Sequence, residues 1–194
     1  MSLISENYRS QQQTLHEVGN YGVMGGMYAP IVAKIINKLE VTHLLDYGCG
    51  SNLSLSKGLV GKVNYAFKYQ AYDPCVDKYA SPPVPAELVC CVDVLEHIEE
   101  DSIDEVLDHL QSLTEAVGFF TFDTGPALKE LPDGRNAHIL QRPMEWWLAK
   151  ICERFELQTL QVTAQDEKNT KFFMIVHARP QMIEDTDGSV IRGV

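Results

Sequence analysis

The sequence predicts an α/β domain: a doubly wound, mostly parallel sheet that closes with a C-terminal antiparallel hairpin. Three observations predict it. Short apolar runs recur along the chain and end in acids. Segments with helical periodicity separate these runs. The last two apolar runs lie close together with nothing helical between them. Strands that alternate with helices build parallel sheets, because a parallel partner is reached only through a crossover.

Residues 1–29 are polar and then glycine-rich, with Gly19, Gly22, Gly25 and Gly26 among Tyr21, Met24, Met27 and Tyr28. They read as an N-terminal arm or short helix followed by a mobile loop, suited to act as a lid. Pro30 then opens a helix, where its missing N–H is tolerated, and Ile31, Val32, Ile35, Ile36 and Leu39 form its apolar stripe. Residues 41–46 read as a buried strand, 47–52 as a tight turn, and Leu53, Leu55 and Leu59 as a helix leaving it. Residues 64–72 form a second strand ending at Asp73 and Pro74; 75–87, with Pro82, Pro83 and Pro85, form a loop; 88–92 form a third strand ending at Asp93. Ser102 and Glu105 make a capping-box pattern ahead of an amphipathic helix carrying Ile103, Val106, Leu107, Leu110 and Leu113. A fourth strand follows at 118–122, then a long polar loop at 124–142. Pro143 starts a helix with Met144, Trp147, Ile151 and Phe155 on one face. Residues 157–163 and 172–176 form the closing hairpin. The domain thus spans 30–179, and 180–194 read as a loose tail.

A chain of 194 residues makes one domain of ordinary size. Its 45% hydrophobic and 22% charged residues exclude the disordered and low-complexity classes. Lys and Arg total 16 against 27 Asp and Glu, a net charge of −11. That balance repels phosphate backbones and disfavours a nucleic-acid partner, but it does not repel a cationic ligand. No stretch supplies the ~20 apolar residues of a membrane span, and the first residues lack the apolar core of a signal peptide. The five cysteines, odd in number and without C-x-x-C spacing, make neither a disulfide framework nor a zinc site, so a reducing, cytoplasmic setting is expected. Cys90 and Cys91 read as core packing. Trp146 and Trp147 read as helix core plus one exposed ring. Lys129, Arg135 and Arg142 form a weak basic cluster that either meets an anionic substrate or is simply solvated. His16, His43, His109 and His177 show no role.

In such sheets ligands bind beyond the carboxyl ends of the strands, which places Asp46, Asp73, Asp93 and Asp123 along one rim. The turn Asp46-Tyr47-Gly48-Cys49-Gly50-Ser51-Asn52 lets backbone approach a ligand closely, and the helix after it offers N–H groups to an anionic ligand group. A dinucleotide fingerprint needs glycine where Leu53 stands, and the phosphate-loop pattern is absent. The Asp46 carboxylate disfavours a pyrophosphate and favours an ammonium or sulfonium. Asp73 is placed to accept hydrogen bonds from ribose hydroxyls.

These residues, together with 44–50, Tyr72-Asp73-Pro74 and Val92-Asp93-Val94-Leu95-Glu96-His97-Ile98, resemble the class I S-adenosylmethionine-dependent methyltransferases over most of the chain. The resemblance implies a Rossmann-like fold and a cofactor pocket. Asp46, Gly48 and Gly50 would flank the methionine moiety, Asp73 and Pro74 the ribose, and Asp93 and Val94 the sulfonium. Asn52 stands where the family often has a third glycine, and Asn tolerates a left-handed backbone. Only 74–87 separate the second and third strands, too few for the usual helix and strand, so the edge strand with its adenine-facing acid is expected to be missing.

The resemblance also implies function. Methyl transfer to a small or sugar-like acceptor, at a hydroxyl oxygen, is the leading expectation. The alternatives are a cofactor-binding or structural module without turnover, and a metal-assisted nucleic-acid methyltransferase. Asp93, Glu96 and His97 have D-x-x-E-H spacing, which on a helical turn gathers positions i, i+3 and i+4 on one face. The pattern is similar to the metal ligands of O-methyltransferases acting on small-RNA 3′ ends and in ubiquinone synthesis, with His138 as the fourth member. Two oxygens and two nitrogens suit Mg²⁺, Mn²⁺ or Zn²⁺. Without a metal, many members of the fold carry the same segment, and His97 or His138 is then the candidate general base.

Overall fold

The structure is a computed structural model; residues 3–17, 22–179, 182–184 and 190–192 are described, the last two segments as backbone only. Tyr21, Gly19 and most of the expected loose tail lie outside them. Within the tail, β7 (Met182–Glu184) and β8 (Val190–Arg192) pair antiparallel.

Six strands form the main sheet: β1 (His43–Tyr47), β2 (Lys68–Tyr72), β3 (Ala86–Cys91), β4 (Thr114–Asp123), β5 (Phe155–Gln165) and β6 (Thr170–Ala178). Their order is β2-β1-β3-β4-β6-β5. The first four run parallel, and β6 and β5 close the sheet antiparallel. Strand β2 is an edge strand. Between it and β3 the chain makes only a 3₁₀ turn at Asp77–Tyr79, so the expected edge strand is indeed missing.

Paired apolar residues explain why the sheet is covered on both faces. Successive side chains on a strand point to opposite faces. Leu44, Leu88, Cys90, Phe119 and Phe173 pack with Val32, Ile36 and Leu55 of α2 (Gly25–Leu39) and α3 (Ser54–Leu59). Their neighbours Leu45, Val89, Cys91, Phe120 and Phe172 pack with Val106, Leu110 and Trp147 of α4 (Ile103–Leu113) and α5 (Met144–Arg154). Cys90 and Cys91 are thus core residues, one on each face. Trp147 is buried, while Trp146 lies between the Arg142 and Lys150 cations. No helix among the described residues is long and apolar enough to cross a membrane.

Several local expectations are corrected. Helix α2 begins at Gly25, not Pro30, which sits inside it. Gly25 and Gly26 are therefore helical rather than a mobile loop. Gly25 and Gly58 have no room for a side chain because α2 presses on α3: a Cβ on Gly25 would lie 2.8 Å from the Leu55 nitrogen, and one on Gly58 would lie 2.6 Å from Ala29 Cβ. Strand β2 starts four residues later than expected, because Tyr65 turns its hydroxyl onto the carbonyls of Ile36 and Val41 (2.8 and 3.1 Å). Ser102 makes no side-chain cap. It lies in a 3₁₀ turn at Glu100–Ser102 and is already near-helical (φ −105°, ψ −8°), not in the extended geometry that a capping oxygen needs.

A twelve-residue helix, α1 (Glu6–Glu17), precedes all of this. Ser5 caps it, accepting the Tyr8 N–H at 3.2 Å. The α2–α3 contact holds the turn between β1 and α3, so Gly58→Ala should destabilise the fold by roughly 1–3 kcal/mol. Urea unfolding of that variant checks it; a midpoint equal to wild type would show that the helices separate freely.

Candidate functional site

The turn after β1 is left-handed at Gly48 (φ 75°) and Gly50 (φ 62°). A side chain at Gly48 would also have no room, since its Cβ would lie 2.4 Å from Val94 Cγ2. Three successive N–H groups of this turn are spent on the end of β2. Gly48 and Cys49 donate to the Tyr72 carbonyl at 2.7 and 3.1 Å, and Gly50 donates to Asp73 Oδ2 at 3.0 Å. The turn is therefore no cradle for an anion, because the donors that would face one point at the neighbouring strand. The additional left-handed residue is Leu53 (φ 47°), not Asn52.

Asp46, Asp73, Asp93 and Asp123 all line one cavity of about 500 Å³, together with Gly48, Gly50, Pro74 and Val94. Asp46 is 3% exposed and accepts a hydrogen bond from the Tyr69 hydroxyl. Burial pushes its pKa up to about 7, against the Tyr69 bond, which lowers it. Asp73 is fixed by two backbone donors, Gly50 on Oδ2 and Cys75 on Oδ1 (2.9 Å). His16 Nε2 stands 3.9 Å from the same carboxylate. Burial raises the Asp73 pKa and lowers that of His16.

A second group gathers on the β3–β4 side. Asp93 is left-handed (φ 60°), a conformation that costs a non-glycine residue on the order of 1 kcal/mol, and its N–H donates to Thr121 Oγ1 at 2.9 Å. Glu96 is 1% exposed. Its Oε1 accepts the Asp123 N–H at 2.9 Å, and its backbone carbonyl accepts the Leu140 N–H at 3.0 Å. Its Oε2 is buried with no hydrogen-bond partner among the described residues. Burial, reinforced by Asp93, raises the Glu96 pKa well above the carboxylate range. His138 Nδ1 lies 2.7 Å from the Gly125 carbonyl. A carbonyl only accepts, so Nδ1 carries the proton and Nε2 the lone pair. Ligand atoms of Asp93, Glu96 and His138 all lie within 4.8 Å of one another.

His97 is placed differently from the other three. Its Nδ1 donates to the Ala137 carbonyl at 2.8 Å, and its ring meets that of His138 edge-on at 4.7 Å. Burial, then His138, pushes its pKa down to about 3, so it is neutral and a weak base. Asp93, Glu96 and His97 do not share one face of a helical turn. Asp93 is left-handed, and only Leu95–His97 form a 3₁₀ turn. The basic cluster does not assemble either: Arg135 pairs with Asp133 at 2.8 Å and Arg142 with Glu100, while Lys129 lines the cavity. Lys171 also lines it and pairs with Asp123 Oδ2 at 2.6 Å.

The N-terminal arm expected as a lid includes α1, but none of its side chains was expected at the site. Tyr8, Gln12 and His16 of α1 line the cavity. Their i, i+4, i+8 spacing puts them on one helix face; that spacing was the available signal, hidden because two of the three are polar. Gly22 lies over the turn, its Cα 3.6 Å from where a Gly50 Cβ would sit.

No family model matches the chain, and no curated protein matches its sequence. Solved structures do match. Magnesium protoporphyrin IX methyltransferase from Synechocystis PCC 6803, with bound SAH, is 13% identical, with a TM-score of 0.52 over 79% of this chain and 83% of that one. The 1,6-didemethyltoxoflavin-N1-methyltransferase of Burkholderia thailandensis, bound to S-adenosylhomocysteine, is 15% identical, with a TM-score of 0.59 over 88% and 86%. The methyltransferase domain of bacterial CtHen1-C is 12% identical, with a TM-score of 0.55 over 80% and 98%. At these identities the likeness establishes the fold: the chain has the Rossmann-like fold of the S-adenosylmethionine-dependent methyltransferases.

Asp46 gives a test of the cavity's electrostatics in the ligand-free protein. Its folded pKa lies above its unfolded one, so its contribution to stability is complete below about pH 4 and is lost as pH rises through about 7. Relative to Asp46→Asn, wild type should lose up to ~4 kcal/mol between pH 4 and 8. Urea unfolding of both proteins across that range checks it. Parallel stability curves would mean that Asp46 is solvated.

Proposed function

We propose that the chain is an S-adenosylmethionine-dependent methyltransferase whose acceptor is a hydroxyl of a small or sugar-like molecule. The observation that carries this reading is one cavity at the carboxyl ends of β1, β2, β3 and β4 that gathers Asp46, Asp73, Asp93 and His138, with the buried Glu96 carboxyl next to the last two. The cofactor, when bound, supplies a methyl group activated on a sulfonium. It carries an ammonium, a carboxylate and a ribose but no phosphate. The ammonium and the ribose fit buried carboxylates, and the lack of a phosphate fits a glycine turn whose Gly48, Cys49 and Gly50 N–H groups are already spent.

Asp46 binds the ammonium, and contact with a cation favours its charged form. Gly48 and Gly50 admit the methionine chain. Asp73, held still by Gly50 and Cys75, offers its remaining lone pairs to the ribose hydroxyls, with Pro74 beside them. Asp93 and Val94 line the methyl side. There Asp93, Glu96 and His138 would hold a divalent cation, Mg²⁺, Mn²⁺ or Zn²⁺. The orphaned Glu96 Oε2 and the fixed His138 tautomer fit that role. A cation there would lower the pKa of an acceptor hydroxyl. His97, neutral, backs the His138 ring. Helix α1 and residues 22–25 form the outer wall and act as the lid of an otherwise single domain.

Calorimetry with S-adenosylhomocysteine tests the reading: sub-millimolar binding is expected, weakened at least about tenfold in Asp46→Asn. Absence of binding to wild type would leave a fold without this cofactor. Mn²⁺ should raise the thermal midpoint, a chelator should reverse it, and Glu96→Ala and His138→Ala should abolish the response. An unchanged response in those variants would remove the metal. If α1 is a lid, S-adenosylhomocysteine should slow tryptic cleavage after Arg9; equal rates would make α1 a fixed wall.

A further inference from the structure

We infer that the methyl acceptor is an amphiphile: its hydroxyl end enters the cavity, and an apolar chain or ring of the same molecule lies across the mouth on Leu128 and Val23. This deepens the methyl-transfer reading above and rests on it. The cavity inverts the usual gradient of polarity. Folded chains bury apolar side chains and leave charged ones in water. Here Asp123 and His138 are buried, and both line the cavity. At its opening the order reverses. Leu128 lines the same cavity yet is fully exposed, and Val23, which also lines it, is half exposed. Pro126 and Met24 continue the two apolar segments along the lining, and Met27 follows on α2, two-thirds exposed.

Anchored backbone holds these side chains out. Asn136 clamps Ala127 from both sides: its Oδ1 accepts the Ala127 N–H and its Nδ2 donates to the Ala127 carbonyl, each at 2.9 Å. On the other side of Leu128, the Lys129 carbonyl accepts the Ala137 N–H at 2.9 Å. Both chain neighbours of Leu128 are therefore fixed, so its side chain cannot fold back onto nearby apolar surface. Val23 is bracketed in the same way. The Ser54 hydroxyl donates to the Gly22 carbonyl at 3.1 Å, and the Met24 carbonyl accepts the Met27 N–H at 2.9 Å. An isolated exposed leucine is ordinary; apolar side chains fixed around the opening of one cavity mark a binding surface.

Continuity and charge identify the occupant. The apolar mouth and the polar interior belong to one cavity, so one molecule can span both. With its hydroxyl end inward, such a molecule meets Asp93 and His138. With its apolar end outward, it removes Leu128 and Val23 from water. A wholly hydrophilic acceptor would leave those two side chains solvated. The net charge of −11 repels an anionic membrane surface and a second copy of this chain, but not a neutral amphiphile.

Calorimetry on the protein saturated with S-adenosylhomocysteine tests this, with octyl β-glucoside below its micelle concentration against methyl β-glucoside, which has the same polar head. Wild type should bind the octyl compound about tenfold or more tightly than the methyl one. Leu128→Ser should weaken the octyl compound at least about threefold. Val60→Ser, at an exposed valine outside the cavity lining, should leave it unchanged. Circular dichroism establishes that each variant is folded, and Leu128→Ala decides the matter if Leu128→Ser is not. No binding of the octyl compound, equal binding of the two glucosides, an octyl affinity unmoved by Leu128→Ser, or an equal loss in Val60→Ser overturns the amphiphile assignment while leaving the cofactor reading intact. So does a different occupant of the mouth: a wild-type dimer that dissociates in Leu128→Ser, or wild type that floats with phosphatidylcholine vesicles where Leu128→Ser does not. Failure of S-adenosylhomocysteine itself to bind wild type overturns both.

Discussion

Carboxyl groups withdrawn from water at the ends of parallel strands are the constraint on which this structure depends. Asp46, Asp73, Glu96 and Asp123 are all buried. A charged acid in that setting is unfavourable unless something compensates. Each has a specific compensation: a phenol on Asp46, two backbone N–H groups on Asp73, the Asp123 N–H on Glu96, and the Lys171 ammonium on Asp123. These partners come from different elements, so the strand ends cannot shift independently. The glycine turn is part of the same system. Its donors serve Tyr72 and Asp73, which fixes the second strand relative to the first.

Much of this could be read from the sequence, and the reasons are local. Consecutive apolar pairs such as Leu44-Leu45, Cys90-Cys91 and Phe119-Phe120 fit strands covered on both faces, and each pair does split between the two core clusters. Ile103, Val106, Leu107, Leu110 and Leu113 mark α4 by period alone, and all five are buried. The short link after Asp73, set against the helix and strand usual in the methyltransferases that the chain resembles, implied a missing edge strand.

What escaped the sequence was long-range. Gly25 resembled a loop glycine because the helix it touches is distant in the chain. Tyr65 fitted a strand pattern but turns its hydroxyl onto the carbonyls of Ile36 and Val41. His97 shares the acid–acid–histidine spacing, yet its ligand atom lies outside the group formed by Asp93, Glu96 and His138. One left-handed residue, Asp93, is enough to break the helical phase on which that spacing depends.

Losing an edge strand has a structural consequence beyond topology. The segment after β2 becomes a short turned link, and α1 docks on it through Arg9 and Gln13. The same helix meets the long 124–142 loop on another side: Tyr8 and Leu15 pack with Leu131 and Ala137. The Tyr8 ring also lies 6.0 Å from the Arg135 guanidinium. Ala137 in turn accepts the His97 bond and adjoins His138. One helix therefore joins the Asp73 end of the cavity to the His138 end. Its polar face lines the cavity, and its apolar contacts hold the loop that carries His138. Displacing α1 would open both ends together, since its side chains contact both Pro74–Asp77 and the Leu131–Ala137 cluster.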